Sequence, residues 1–136
     1  MFSSETQLRV RYAETDQMGY VYYGNYAAFY EVGRVESLRQ IGLSYKLLED
    51  SGIMMPVLEL KCKYIQPARY DDLLTIITRI PELPKVRCRF EYEIRNQEGN
   101  LLNQGETTLV FIDMKTNRPK ACPALLEEKL IPFFEV

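Results

Sequence analysis

The stretch "YGNYAAFYEVGRVESLRQIG", residues 23–42, decides how the rest of the chain must be arranged. It reads as a helix running from about Tyr23–Tyr26 to Gln40, with no interior proline and with Gly42 as its C-terminal stop. Asn25 or Gly24 stands where the start of such a helix is capped. At the angular step of an α-helix, Tyr26, Phe29, Tyr30, Val32, Val35 and Leu38 spread nearly all the way round. A helix that is apolar on most sides is buried on most sides, so the remaining chain is expected to wrap it.

Outward from this helix the period changes to two. On the N-terminal side, "QLRVRY" (7–12) sets Leu8, Val10 and Tyr12 on one face and Arg9 and Arg11 on the other, a half-buried strand. On the C-terminal side a short helix is expected over "LSYKLLEDSG" (43–52). "VLELKCKYI" (57–65) then alternates Leu58, Leu60, Cys62 and Tyr64 with Glu59, Lys61 and Lys63. "DLLTIITRI" (72–80) is apolar on both faces, as an interior strand is. "VRCRFEYEIR" (86–95) sets Val86, Cys88, Phe90, Tyr92 and Ile94 against alternating charges. "NQEGN" turns into a last long strand, "LLNQGETTLVFID" (101–113), and "PALLEEKL" (123–130) is a short helix opened by Pro123.

The order is strand, long buried helix, then four strands in succession. Sequential strands with short connections pair antiparallel. The expected class is α+β, a curved five-stranded antiparallel sheet wrapped around one long central helix, as a single domain over residues 1–136. One helix cannot cover every edge and face of such a sheet, which calls for a second copy of the chain.

Composition narrows the chemistry. Apolar residues make up 46 % and charged residues 26 %, and the net charge of −2 gives no basic field for nucleic acid. No apolar run approaches the roughly 20 residues of a membrane span, and "MFSSETQLRV" lacks the form of a signal peptide. Cys62, Cys88 and Cys122 form no disulfide framework, so a reducing, cytoplasmic setting is expected. There is no histidine. Histidine-based nucleophile pairs and histidine zinc sites are thereby removed, and three scattered cysteines do not replace them. No metal is expected. Acid–base work falls to a carboxylate, Lys, Tyr or Cys.

The segment "RYAETDQMGYVYYGNYAAFYEVGR" (11–34) resembles the signature of the 4-hydroxybenzoyl-CoA thioesterase-like branch of hotdog-fold proteins. It carries Tyr-x-x-Thr-Asp-x-x-Gly from Tyr12 to Gly19, then Val-Tyr-x-x-Asn-Tyr from Val21 to Tyr26. "CKYIQPARYDDLLTI" (62–76) is similar to the family's approach to its third strand. The resemblance spans about Leu8 to Phe111. It implies the hotdog fold and a homo-oligomeric acyl-CoA thioesterase, a dimer or tetramer, with its site at a subunit interface. It implies no cofactor, coenzyme A being part of the substrate.

Residue by residue, the resemblance makes Asp16 the catalytic carboxylate, as general base or nucleophile. The start of the long helix would stabilise the oxyanion, with the backbone N–H at Tyr23 as one donor and Gly24 letting the backbone approach the substrate. Many bacterial relatives carry histidine where this chain has Tyr23, which leaves more of the work to Asp16. Tyr20, Tyr22 and Tyr26, with Tyr12, Tyr30 and Asn25, would surround the acyl group in a pocket poor in water. The family often grips the nucleotide near the turn into the fourth strand, which points to Lys85 and Arg87 for the phosphates among Lys61, Lys63, Arg69 and Arg89.

Each group has a plainer reading. Asp16 can be a turn residue ahead of a helix, the tyrosines packing, and the arginines solvated sheet surface. Glu31 and Arg34 read as a local helix pair, with Glu31 a possible helper to Asp16. Three functions therefore stand: a short-chain or aromatic acyl-CoA thioesterase, an acyl carrier protein thioesterase, or a non-catalytic hotdog that binds an acyl or aromatic ligand.

Overall fold

A computed structural model describes residues 1–135. In chain order the elements are β1 (Phe2–Arg9), α1 (Tyr26–Gln40), α2 (Tyr45–Asp50), β2 (Ile53–Met54), β3 (Val57–Tyr64), β4 (Leu73–Ile80), β5 (Arg87–Arg95), β6 (Leu101–Val110), β7 (Ile112–Asp113), β8 (Arg118–Pro119) and α3 (Ala124–Leu130). Single 3-10 turns stand at Tyr12–Glu14, Tyr23–Asn25 and Ile131–Phe133. The five long strands form one antiparallel sheet in the order β1-β4-β5-β6-β3, and β2, β7 and β8 form a small second sheet.

Alternation sets the inner face. Leu74, Ile76, Thr78 and Ile80 of β4 and Cys88, Phe90, Tyr92 and Ile94 of β5 are all buried, and α1 lies over β1, β4 and β5. From the helix, Tyr26, Phe29, Tyr30, Gly33, Arg34, Ser37 and Leu38 are buried, a single stripe at three- and four-residue spacing. Ala27, Ala28 and Glu31 are exposed. Gly33 sets the closest approach of α1 to the sheet. A Cβ there would stand 2.5 Å from the Thr78 hydroxyl and 2.9 Å from Ile76 Cγ2. The helix ends as the sequence indicates. Gly42 takes φ +84°, and the N–H groups of Gly42 and Leu43 reach back to the Arg39 and Leu38 carbonyls.

Three sequence expectations are corrected here. The first strand is Phe2–Arg9 rather than 7–12, and Tyr12, which alternation turned inward, is 77 % exposed in a 3-10 turn. In a single chain the helix is buried along one stripe and not all round, because Gly33, Arg34 and Ser37 occupy the face that meets the sheet. Of the four later strands, β4, β5 and β6 pair antiparallel in succession as expected, but β3 does not pair with β4. β3 pairs only with β6, at one edge, while β4 lies between β1 and β5. Residues 65–72 carry the chain from one side of the sheet to the other.

That crossover is tied down along its length. Ile65 and Gln66 donate to the Leu102 carbonyl, Val21 donates to Ala68, and Val10 and Asp72 are joined through a backbone bond of 2.9 Å. The segment between β1 and α1 is thereby fixed against it. Among the described residues no helix is long and apolar enough to cross a membrane.

Candidate active site

The loop between β1 and α1 folds on itself around a four-residue turn. Asp16 N–H donates to Tyr20 O at 2.7 Å and Gly19 N–H to Asp16 O at 3.0 Å, with Gly19 at φ +82°. Bridges join Thr15 to Val21 and Tyr20 to Arg69, so one end of the turn is locked to the crossover. The Asp16 carboxylate works within this turn. Its Oδ1 accepts from the N–H of Met18 at 2.9 Å and of Tyr20 at 3.2 Å. Its Oδ2 has no hydrogen-bond partner among the described residues. The turn role and a free carboxylate oxygen thus coexist in one side chain.

Asp16 opens onto a cleft of about 270 Å³ whose walls include Tyr20, Tyr23, Tyr26, Tyr64 and Pro67. Tyr26 is buried, and its ring meets those of Phe29 and Tyr64 edge-on at 5.7 and 5.4 Å. Burial pushes the Tyr26 phenol up from its ordinary value. The start of the helix adjoins the same cleft through Tyr23. Among the described residues neither the N–H of Tyr23 nor that of Gly24 has a hydrogen-bond partner, as expected of a first helical turn. Free N–H groups at a helix start favour negative charge.

The other expected residues fall differently. Tyr22 stands outside the cleft, its ring laid across Gly24 and packed on Tyr23 at 4.6 Å. Asn25 does not cap the helix. Its Nδ2 donates instead to the Glu14 carbonyl at 2.9 Å, pinning the helix start to the preceding loop. Tyr12 pairs with Tyr70 on the surface. Tyr30 is fully buried under the sheet, where its hydroxyl donates to Asn103 Oδ1 and contacts Cys62 Sγ. Glu31 is exposed, and Arg34 turns away from it into the core.

Lys85 and Arg87 are not brought to the cleft within one chain. Arg87 pairs with Val110, beside the Leu109 to which Val57 pairs, whereas the cleft residue Tyr64 pairs with Asn103. The seven-residue length of β3 between those levels spans about 23 Å. Of the cations considered for phosphate, Arg69 stands against a cleft wall, with its guanidinium 5.0 Å from the centre of the Tyr20 ring. Arg89 is engaged by Glu82, Glu91 and Glu106, and Lys61 by Glu59 and Glu106. A larger concavity of about 450 Å³ on the outer face of the sheet is lined by Lys61, Glu91 and Glu106, by the Arg79–Glu93 pair, and by Lys63 and the free thiol of Cys62. Among the described residues no three metal-ligating side chains converge.

Tyr64, Gln66 and Pro67 were missed as cleft residues. Their signal was available in part, since "CKYIQPARYDD" breaks the strand period and must leave the sheet, but only the crossover shows that it runs beside Asp16.

The chain is similar to known thioesterases in sequence and in fold. The family described as the thioesterase-like superfamily matches residues 10–130. The acyl-CoA thioester hydrolase YbgC of Escherichia coli is 37 % identical over 116 residues, covering 85 % of this chain and 87 % of that protein. The chloroplastic acyl-acyl carrier protein thioesterase ATL3 of Arabidopsis thaliana is 32 % identical over 132 residues, covering 95 % of this chain and 68 % of that protein. Among solved structures, the DHNA-CoA thioesterase of Staphylococcus aureus superimposes with a TM-score of 0.90 at 32 % identity, covering 100 % of this chain and 97 % of that one. With its five-stranded antiparallel sheet, its long helix and this match over nearly its whole length, the chain belongs to the thioesterase-like superfamily and has the hotdog fold of that family's thioesterases.

Proposed function

We propose that this chain hydrolyses the thioester of a short-chain or aromatic acyl-CoA, with Asp16 as base or nucleophile and the N–H groups at the start of α1 receiving the oxyanion. One observation carries the reading. A carboxylate oxygen and a helix start whose N–H groups have no partner among the described residues adjoin the same aromatic-walled cleft. As base, Asp16 takes a proton from water while the water oxygen bonds to the thioester carbon. As nucleophile, its Oδ2 makes that bond itself, and water then releases the acyl group. Either way the carbonyl electrons move to an oxygen held by backbone N–H groups, and collapse expels the coenzyme A sulfur. The aromatic walls offer an apolar acyl group a matching surface beside the carboxylate.

The relatives' names support the coenzyme A ester, and the free thiols of Cys62, Cys88 and Cys122 fit a reducing cytoplasm. The resemblance to a plant carrier-protein thioesterase supports a second reading, in which the acyl group arrives on an acyl carrier protein. The active form we propose is a dimer or a dimer of dimers. β3 is an edge strand whose Val57, Leu58, Leu60 and Tyr64 are exposed, and such an edge invites pairing with a second copy. Thiol release measured across acyl-CoAs of differing chain length and aromaticity, and across the matching carrier-protein esters, tests the assignment. Turnover of coenzyme A esters is expected. Release from carrier-protein esters alone would select the second reading, and release from none would reject both.

A further inference from the structure

We infer that Asn25 is a positioning residue for this reaction, holding the turn that carries Asp16 in place against the aromatic walls of the cleft. The inference rests on the thioesterase reading above. Residues 14–22 make a small hairpin around Asp16. Its base is closed by the bond from the Tyr22 N–H to the Glu14 carbonyl at 2.9 Å, and its tip by the bond from the Asp16 N–H to the Tyr20 carbonyl at 2.7 Å. The same Glu14 carbonyl accepts a second bond, from Nδ2 of Asn25, at 2.9 Å. A carbonyl oxygen has two lone pairs, so it can accept both. Asn25 lies in the chain between Tyr23 and Tyr26, and those two residues line the same cleft as Asp16. The side chain therefore joins the base of the carboxylate's hairpin to the segment that supplies two of the walls.

Asn25 is half-buried and does not itself line the cleft, so its amide acts on the loop rather than on the substrate. The helix start does not require the bond. The Asn25 side chain makes no cap, and its backbone N–H already reaches the Tyr22 carbonyl at 2.9 Å. The partner stands 11 residues back, on the loop. On its other side the hairpin is tied to the crossover by the Val21 N–H, which donates to the Ala68 carbonyl at 2.8 Å, and by the bridge from Tyr20 to Arg69. Backbone bonds thus fix the hairpin to the crossover, and a side-chain amide fixes it to the helix start. Such a tie matters to a carboxylate that must meet a thioester carbon or its water, because a misplacement of about 1 Å can cost about 10²-fold in rate.

Asn25→Ala removes the donor. The test uses the intact protein and the acyl-CoA it turns over best. The expected result is a kcat about 10- to 100-fold lower with KM changed less than about twofold. An unreactive thioether analogue of that ester should bind Asn25→Ala with wild-type affinity and stoichiometry, which separates misplacement of Asp16 from loss of folded protein. The double variant with Asp16→Asn isolates the coupling. With the carboxylate gone there is nothing left to position, so adding Asn25→Ala should lower the residual kcat of Asp16→Asn by less than about twofold. Asn25→Asp keeps the volume but sets an acceptor against the Glu14 carbonyl; it should be impaired at least as much, and it decides the matter if Asn25→Ala binds the thioether at reduced stoichiometry. Wild-type kcat in either variant, a raised KM with kcat unchanged, or losses that multiply in the double variant overturn the inference. Turnover lost in Asp16→Asn but intact in Asn25→Ala leaves the thioesterase reading standing and rejects the role of Asn25. No turnover by the wild-type protein rejects both.

Discussion

Tyr30 of α1 and Tyr92 of β5 lie face to face, ring centroids 4.2 Å apart and 6° from parallel. This stack centres a polar network in the core. Tyr92 OH shares a hydrogen bond with Thr107 Oγ1 at 2.6 Å and accepts one from Arg34 Nη1 at 3.1 Å, while Arg34 Nε donates to Tyr45 OH. Arg34 is only 6 % exposed and has no carboxylate within ion-pair distance among the described residues. Two phenols replace the water it has lost.

Tyr92→Phe should therefore destabilise the fold well beyond the loss of one oxygen. It leaves a guanidinium N–H and the Thr107 hydroxyl without partners in the core, a cost of about 1–3 kcal/mol. The urea-unfolding midpoint measures it. Combining Tyr92→Phe with Arg34→Met should recover part of the loss, because removing both partners of a buried pair costs less than orphaning one. Strict additivity of the two losses would show that the network is not coupled.

Asp16→Asn should lower kcat by about 10²–10⁴ with KM changed far less, as for loss of a base or nucleophile. The structure explains why the loop should survive, since the Asn Oδ1 can still accept from Met18 and Tyr20. Retention of more than about a tenth of wild-type kcat would remove the carboxylate from the chemistry.

Lys85→Ala with Arg87→Ala should raise KM for coenzyme A esters and leave kcat nearly unchanged, a loss on the order of 2–4 kcal/mol for two charge-assisted contacts. Because these residues lie at the far end of β3 from the cleft of their own chain, the effect requires a second copy. An unchanged KM there, with a raised KM in Arg69→Ala, would move the phosphate contact to the cation beside Tyr20.

Stability should fall at alkaline pH. Burial pushes the Cys88 thiol up from 9.0 and the Cys122 thiol up to about 12, and it pushes the Tyr92 phenol up from 10.0 to about 12 against the pull of Arg34. Above about pH 9 the unfolded chain releases protons that the folded chain retains, so the unfolded state binds fewer protons and stability declines as pH rises. The urea midpoint should be flat from about pH 7 to 8.5 and decrease beyond about pH 9. A midpoint that stays level to about pH 10.5 would show that these groups ionise as readily folded as unfolded.

Where a strand pattern, a turn or a helix stop is written in the residue types themselves, the sequence was legible. β4, β5, the Asn96–Asn100 turn and the Gly42 stop were readable because one residue type per position carried the signal. The buried stripe of α1 was not, because Gly33, Arg34 and Ser37 are in it for close approach and hydrogen bonding, not for apolar area. Strand order was hidden for another reason. An eight-residue connection reads alike whether it joins neighbours or crosses a sheet, and only the bonds from Val10 and Val21 to the crossover distinguish the two. In the site, Asp16, Tyr20, Tyr23 and Tyr26 were legible as one motif and meet at one cleft. Tyr64 was read merely as the inward end of a strand, since nothing local marks a hydroxyl that reaches 41 residues back.

The free edge of β3 has a genetic consequence. If two copies pair antiparallel along it, the Val57 end of one meets the Tyr64 end of the other, so each cleft draws its carboxylate from one gene product and its phosphate grip from the other. Two alleles, one bearing Asp16→Asn and the other Lys85→Ala with Arg87→Ala, would each be defective alone. Co-expressed, they would yield mixed dimers with one wholly intact cleft, and activity would return in trans to a fraction set by random assortment.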